Sequence, residues 1–318
     1  MVDRLSHLIR ESRKILCNPY AHIDGEGNFD ALILEADLDP SSRHRLLGNP
    51  YASLTSDNGF TEPQNLNHSD QIFPSGFFLK RILGGKQKGD SFSKSEIKKI
   101  ARRFQIEAWK KRTSIFSRGD EVAPHDVVDP RLGLQLLGYR VELEESLGQY
   151  SRGRELFEVA GVIDESEKHV MISRRFSRHI MNFTTAHELG HAVLHQETGL
   201  HRDRAQDGGA YQSPRGETEA EADMFAAYFL MPEKLVKEAF KEMFLTSKFV
   251  INELTAHSLG HNDILALEKK CRTLRDLTTL LASAEQYNGR FFNSLAKQFG
   301  VSTAAMAIRI EELSLAAR

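Results

Sequence analysis

The segment His187-Glu188-Leu189-Gly190-His191 constrains the fold more than any other part of the chain. From residue 182 the run NFTTAHELGHAVLHQ has helical periodicity. Four residues are about one helical turn, so both imidazoles leave one face, roughly 6 Å apart along the axis. Two ring nitrogens at about 2 Å from a common ion fit that spacing. Glu188 lies on the flank of the same face, where it can hold a water and take its proton. Alone, the pattern has only three fixed positions and also occurs on ordinary solvated helices. A chain that uses it as a metal site must bring a third ligand from elsewhere, because a catalytic zinc site takes three protein ligands and leaves the fourth position open.

The run ETEAEADMFAAYFL, closed by Met231-Pro232, is the second helix that can supply it. It carries Glu217, Glu219, Glu221 and Asp223. Glu219 is favoured as the ligand over Glu221. Glu219 and Asp223 are i and i+4 and share a face, so one can bind metal while the other hydrogen-bonds a ligand histidine. Ala222 and Ala226 fall on that side, and their small size lets two helices close around an ion. Glu217 and Glu221 are expected to be solvated. His195 continues the series 187, 191, 195, but on a straight helix it stands about 12 Å from His187. It also lacks the glycine turn that returns a third histidine to the metal in some zinc enzymes. It is expected to be a packed or capping residue. The loop expected at 199–216 contributes His201 and Tyr211 as candidate substrate or oxyanion contacts. Zinc suits two histidines and a carboxylate, and manganese or iron also fits such a set. Cys17 is a conceivable fourth ligand, and Cys271 reads as a small core residue.

At 318 residues the chain has room for two domains or for one with large extensions. Hydrophobic residues at 40% and charged residues at 27% exclude a wholly disordered chain or a fibrous rod. Two cysteines exclude a disulfide scaffold. No apolar run reaches the roughly 18 residues of a membrane span, and the start MVDRLSHLIRESRK has no apolar leader core, so a cytoplasmic protein is expected. A helix is expected over 3–16 and an irregular linker over 49–78. The tetrapeptide Asn-Pro-Tyr-Ala occurs at 18–21 and 49–52, without matching flanks. A helix should start at Ser93 or Ser95 and bury Ile97, Ile100, Ala101, Phe104 and Ala108. A strand at 139–143 and a β-hairpin from 156–163 and 169–172 precede the metal helix. The remainder reads as helical, with Ser302 as N-cap of the last helix. This divides the chain into an extension with linker (1–78), a core with a basic lead-in helix (79–247) and a helical C-terminal region (248–318).

Residues 80–118 hold thirteen Lys or Arg against three Asp or Glu, a local net of +10 in a chain whose total is −2. Lys98, Lys99, Arg102, Arg103, Lys110, Lys111 and Arg112 are candidate contacts to a nucleic-acid backbone, with Phe104, Trp109 and Phe116 as stacking platforms for single-stranded DNA. The competing reading is a solvated helix face whose aromatics lie in the core. The tail LAKQFGVSTAAMAIRIEEL has a helix-turn-helix pattern but little net charge, and reads as a packing element.

Together, FTTAHELGHAVLH, ETEAEADMFAAYFLMP, the upstream AGVIDESEKHVMIS and the closing LAKQFGVSTAAMAIRIEEL resemble the ImmA/IrrE metallopeptidases of bacteria and phages. The similarity covers about 95–232 and 290–316. It implies an α+β, mostly helical, zincin-like domain with a small antiparallel sheet, here with an N-terminal extension and a helical C-terminal region. It implies that His187 and His191 bind the metal, that Glu188 is the general base, that Glu219 is the third ligand and that Asp223 supports it. It also implies a partner protein as substrate, typically a helix-turn-helix repressor whose cleavage releases a stress, phage-related or defence response. On that basis we expect a zinc endopeptidase, and from the common strand-addition mode of peptide recognition we expect its hairpin strand near 169–173 to pair with extended substrate. A DNA-responsive regulator or toxin–antitoxin component with a structural metal site is the alternative. An intact Glu188 speaks against it, since a structural site needs no base.

Overall fold

The computed structural model describes residues 75–116, 122–152, 155–196, 200–204, 216–261 and 263–318. The expectations for 3–16, for the two Asn-Pro-Tyr-Ala segments, for Cys17 and for Tyr211 lie outside the described residues. The chain opens with α1 (Ser75–Leu83), α2 (Lys94–Lys110), α3 (Arg112–Ile115), a 3-10 turn (Asp126–Val128) and α4 (Pro130–Leu136). The strands β1 (Arg140–Glu144), β2 (Gln149–Arg152), β3 (Glu155–Asp164) and β4 (His169–Ser173) follow. Then come α5 (Arg178–Leu194), β5 (Leu200–Arg204), α6 (Glu217–Leu230) and α7 (Glu233–Phe244). The C-terminal part runs through β6 (Phe249–Val250), α8 (Glu253–Ser258), α9 (Ile264–Lys270), α10 (Leu274–Ser283), β7 (Gln286–Tyr287) and β8 (Arg290–Phe291). It closes with α11 (Leu295–Gln298), α12 (Thr303–Glu312) and β9 (Ala316–Ala317).

Ser93 starts α2 with a reciprocal capping box: its side chain accepts from the Glu96 amide, and Glu96 accepts from the Ser93 amide. Ile97, Ile100, Ala101, Phe104 and Ala108 are all buried, and so is Trp109. Phe104 meets Phe78 of α1, and Phe225 and Phe229 of α6, edge-on at 5.3, 6.4 and 5.6 Å between ring centres. α1 begins inside the stretch expected to be irregular, because Phe78 and Ile82 bury themselves against the lead-in helix.

The sheet has the order β1-β4-β3-β2, with β5 added to β3. β3 and β4 form the expected antiparallel hairpin, in register Asp164↔His169 and Gly161↔Ile172. β1, however, joins β4 in parallel, pairing Arg140 with His169 through to Glu144 with Ser173. The sheet is therefore mixed, and β4 is hydrogen-bonded along both edges. This removes β4 as a docking edge for substrate, because its backbone groups are already taken. The stretch 200–204, expected to be loop, is a strand against β3. Its sequence LHRDR has no alternating apolar signal, and its strand character comes from the amide and carbonyl groups that β3 presents.

The C-terminal part is helical apart from the short pairs β6/β9 and β7/β8. Ser302 caps α12 by accepting from the Ala305 amide. α12 buries Met306 and Ile310 and packs on α10, which makes the tail a packing element. Its buried Arg309 donates through Nε to the Met231 carbonyl at 3.0 Å and lies 5.0 Å from the centre of the Tyr228 ring. Met231 is the C-cap of α6, so a cation stands where the helix leaves carbonyls unsatisfied. Gln105 of α2 donates to the Tyr228 and Phe229 carbonyls at the same helix end. Cys271 is a buried core residue whose thiol is pushed up by burial. Among the described residues no helix is long and apolar enough to cross a membrane.

Replacing Arg309 with Met should cost about 3 kcal/mol, because Glu312 and the Met231 carbonyl lose a buried cationic partner. Urea unfolding of the two proteins measures it. His125 is buried edge-on against Phe299, and burial lowers its pKa from 6.5 to about 4. The unfolded chain therefore takes up this proton near pH 6.5 while the fold resists until about 4. His125 should contribute its full stability above pH 6.5 and lose it as the pH falls toward 4. In His125→Phe that part of the melting-temperature profile should flatten.

Candidate metal centre

α5 and α6 pack directly against each other. Gly190 makes the approach possible: a Cβ at this position would stand 3.0 Å from both the Cα and the carbonyl oxygen of Ala222. Ala222 and Ala226 line the facing side of α6 and are fully buried. The seam holds His187, His191 and Glu219. The Nε2 atoms of His187 and His191 are 3.0 Å apart. Glu219 places one carboxylate oxygen 3.5 Å from His187 Nε2 and the other 3.4 Å from His191 Nε2. Ligands at about 2.0–2.1 Å in a tetrahedral arrangement lie roughly 3.3 Å from one another. The two Nε2 atoms are near that separation, each faces one oxygen of the Glu219 carboxylate, and one ligand atom from each residue lies within 4.8 Å of the others, so the donor set can hold one divalent ion.

Asp223 Oδ1 lies 2.8 Å from His187 Nδ1. With Nε2 kept as the ligand atom, Nδ1 carries the proton and donates to this carboxylate. Glu188 is fully buried on α5 against β3. The strand makes room for it with Gly161, where a Cβ would stand 2.5 Å from Glu188 Oε1 and 2.7 Å from Thr184 Cγ2. Gly161 sits within an apolar strand, and its one sequence signal is a glycine that interrupts the run VAGVI.

Two expectations for nearby residues are corrected. Glu221 is buried, not solvated: its Oε2 lies 3.1 Å from His195 Nε2. The Phe92 amide donates to its Oε1 at 2.8 Å. His195 is the C-cap of α5 and is buried, with its Nδ1 3.0 Å from His191 Nδ1. The helix ends at Leu194, and His195 is the packed capping residue that was expected, outside the donor group. Glu217 is exposed, as expected, and accepts from Ser91 at 3.3 Å. His201 belongs to β5, opposite Ile163, and not to a loop.

The basic segment does not form one face. Lys98 and Arg102 line a cleft of about 330 Å³ with Lys234 and Lys237 of α7, and Lys98 pairs with Glu233 at 2.7 Å. On another side of α2, Arg103 donates to the Ile82 carbonyl. Lys110 pairs with Glu107 at 3.6 Å, Lys111 covers the Phe78 ring, and Arg112 covers the Trp109 ring. Lys99 is exposed. Phe104 and Trp109 lie in the core, and Phe116 packs partly buried against it, so Phe104 and Trp109 offer no stacking platform.

Gly190→Ala should force the two metal-site helices apart and cost about 1–3 kcal/mol in stability. Gly161→Ala should instead displace Glu188 while leaving α5 and α6 in place. The first should therefore weaken metal binding in calorimetric titration, and the second should leave it nearly unchanged.

Comparison with the curated proteins returns no match. The family model for the IrrE N-terminal-like domain, Peptidase M78, matches residues 138–252, from just before β1 to just after β6. The matched stretch contains the whole sheet, α5 with its two histidines and α6 with its carboxylates. Residues 138–252 thus carry a domain that matches the IrrE N-terminal-like, or ImmA/IrrE, metallopeptidase family.

Proposed function

We propose that the protein is a zinc-dependent endopeptidase that hydrolyses a peptide bond in a partner protein. The observation that carries this reading is the convergence of His187, His191 and Glu219 beside the buried carboxylate of Glu188. In it, His187, His191 and Glu219 hold the ion. When bound, zinc supplies Lewis acidity to the scissile carbonyl and to the attacking water. Glu188 accepts the proton of that water and returns it to the leaving amine. Asp223 holds the His187 ring in the tautomer that keeps Nε2 open. Gly161 of β3 packs directly on the Glu188 carboxylate from the strand side, so its orientation is set before substrate arrives.

An extended substrate needs a free strand edge. β5 offers one: among the described residues it pairs only with β3, and its Asp203 stands opposite Gly161, the residue that packs on Glu188. This edge replaces β4 in the reading. The substrate class comes from the family resemblance alone and is a helix-turn-helix repressor whose cleavage releases a stress, phage-related or defence response. We include single-stranded DNA as a stimulator, acting through phosphate contacts to the lead-in cations and not through stacked bases. The cleft where Lys98 and Arg102 of α2 meet Lys234 and Lys237 of α7 supports it. A cytoplasmic setting follows from that substrate.

Glu188→Gln is the direct test. The variant should retain one metal per chain and lose cleavage of a purified repressor-type substrate by at least about 100-fold. Cleavage that survives the substitution refutes the mechanism. Cleavage unchanged by added single-stranded DNA refutes the stimulation.

A further inference from the structure

The two metal-site histidines are supported differently. His187 donates directly to a carboxylate, Asp223. Behind His191 stands a second histidine, and behind that a carboxylate from α6: His191 Nδ1 to His195 Nδ1 at 3.0 Å, then His195 Nε2 to Glu221 Oε2 at 3.1 Å. The Phe92 amide closes the chain on Glu221 Oε1 at 2.8 Å. All four residues are buried.

Resting on the metal-centre reading above, we propose that His195 and Glu221 are positioning residues for the ligand His191, and that the segment joining α1 to α2 anchors them. The proton assignment follows from chemistry. If His191 offers the Nε2 lone pair to an ion, its one proton is on Nδ1. His195 Nδ1 must then accept, which puts the proton of His195 on Nε2, facing a carboxylate that can only accept. Each donor in the chain meets one acceptor, and all the bonds run in one direction. The reverse order places a proton on the ligand atom itself and leaves a bare His195 nitrogen against the Glu221 carboxylate. The chain therefore selects the metal-binding tautomer of His191 and locks its ring.

The anchor has independent contacts. The Gly89 amide donates to the Leu194 carbonyl, one residue before His195, at 2.7 Å. Gly89 has φ +86°, a conformation that favours glycine. Ser91 bonds Glu217 of α6, and Lys88 pairs with Glu165 at the β3–β4 turn. Residues 88–92 thus bind the end of one metal-site helix and the side of the other. They lie outside the stretch matched by the family model, which begins at 138. The outer support of the metal centre is therefore completed by a segment that the matched domain does not contain.

Competition for zinc against a chelator of known affinity tests this on the full chain. His195→Phe and Glu221→Gln should each weaken zinc binding by about 10- to 100-fold. Glu253→Gln, at an exposed carboxylate on α8 outside the site, should leave it unchanged. Thermal melts of the metal-free proteins separate positioning from folding. The proposal predicts that the near-isosteric Glu221→Gln melts close to the unaltered chain while still losing zinc affinity. If both variants hold zinc within about twofold of the unaltered chain, the positioning role is wrong. It is also wrong if the loss in Glu221→Gln follows unfolding of the metal-free protein. If the unaltered chain itself fails to take up zinc, the metal-centre reading falls instead, and the inference falls with it.

Discussion

The distance between α5 and α6 is the dimension on which the candidate metal centre depends. Three donors from two helices can share an ion only if the helices approach within reach of short polar side chains. Gly190 and Ala222 set that distance, because their contact leaves no space for another methyl group. Everything around the seam serves to hold it. α2 packs its aromatic stripe on the outer side of α6, and β3 and β4 back α5.

Such a centre concentrates buried polar groups, and each is costly unless it is bonded. Asp223, His195 and Glu221 bring partners to the imidazoles of His187 and His191 from the sides away from the candidate donor cluster. The C-terminal end of α6 poses the same problem in its backbone. Gln105 from α2 and Arg309 from α12 meet its last carbonyls. This gives a physical reason why the segment resembling the family's closing stretch lies far along the chain from the motif yet belongs to the same fold. It supplies a cation to the end of the helix that carries the third donor.

Charge is distributed on the same terms. The lead-in segment is strongly basic along the sequence, but carboxylates from distant elements offset it. Lys88 meets Glu165, Lys94 meets Glu312, and Lys98 meets Glu233. The Glu233 carboxyl, held by Lys237 and Lys98, is lowered to about 2. A local charge count therefore overstates the field that a nucleic acid would meet there.

The amino-acid sequence by itself determined several of the elements and singled out the candidate donors. Helical period and capping chemistry placed α2 at Ser93 and α12 at Ser302. The alternation of apolar runs placed the β3–β4 hairpin, and the spacing of His187, His191, Glu219 and Asp223 on two helices put their side chains on facing surfaces. These are local properties, fixed within one or two turns of chain. Tertiary structure alone decided what depends on contacts between distant segments. Glu221 looks solvated on an isolated helix, but it is buried because the Phe92 amide and His195 converge on it. Trp109 looks available in a basic stretch, but it lies in the core. β5 has a polar sequence and becomes a strand because β3 has an edge to satisfy. β4 loses its free edge to a parallel partner whose pairing no local pattern encodes. The roles of Gly161 and Gly190 appear only once the atoms facing them, Glu188 and Ala222, are in place.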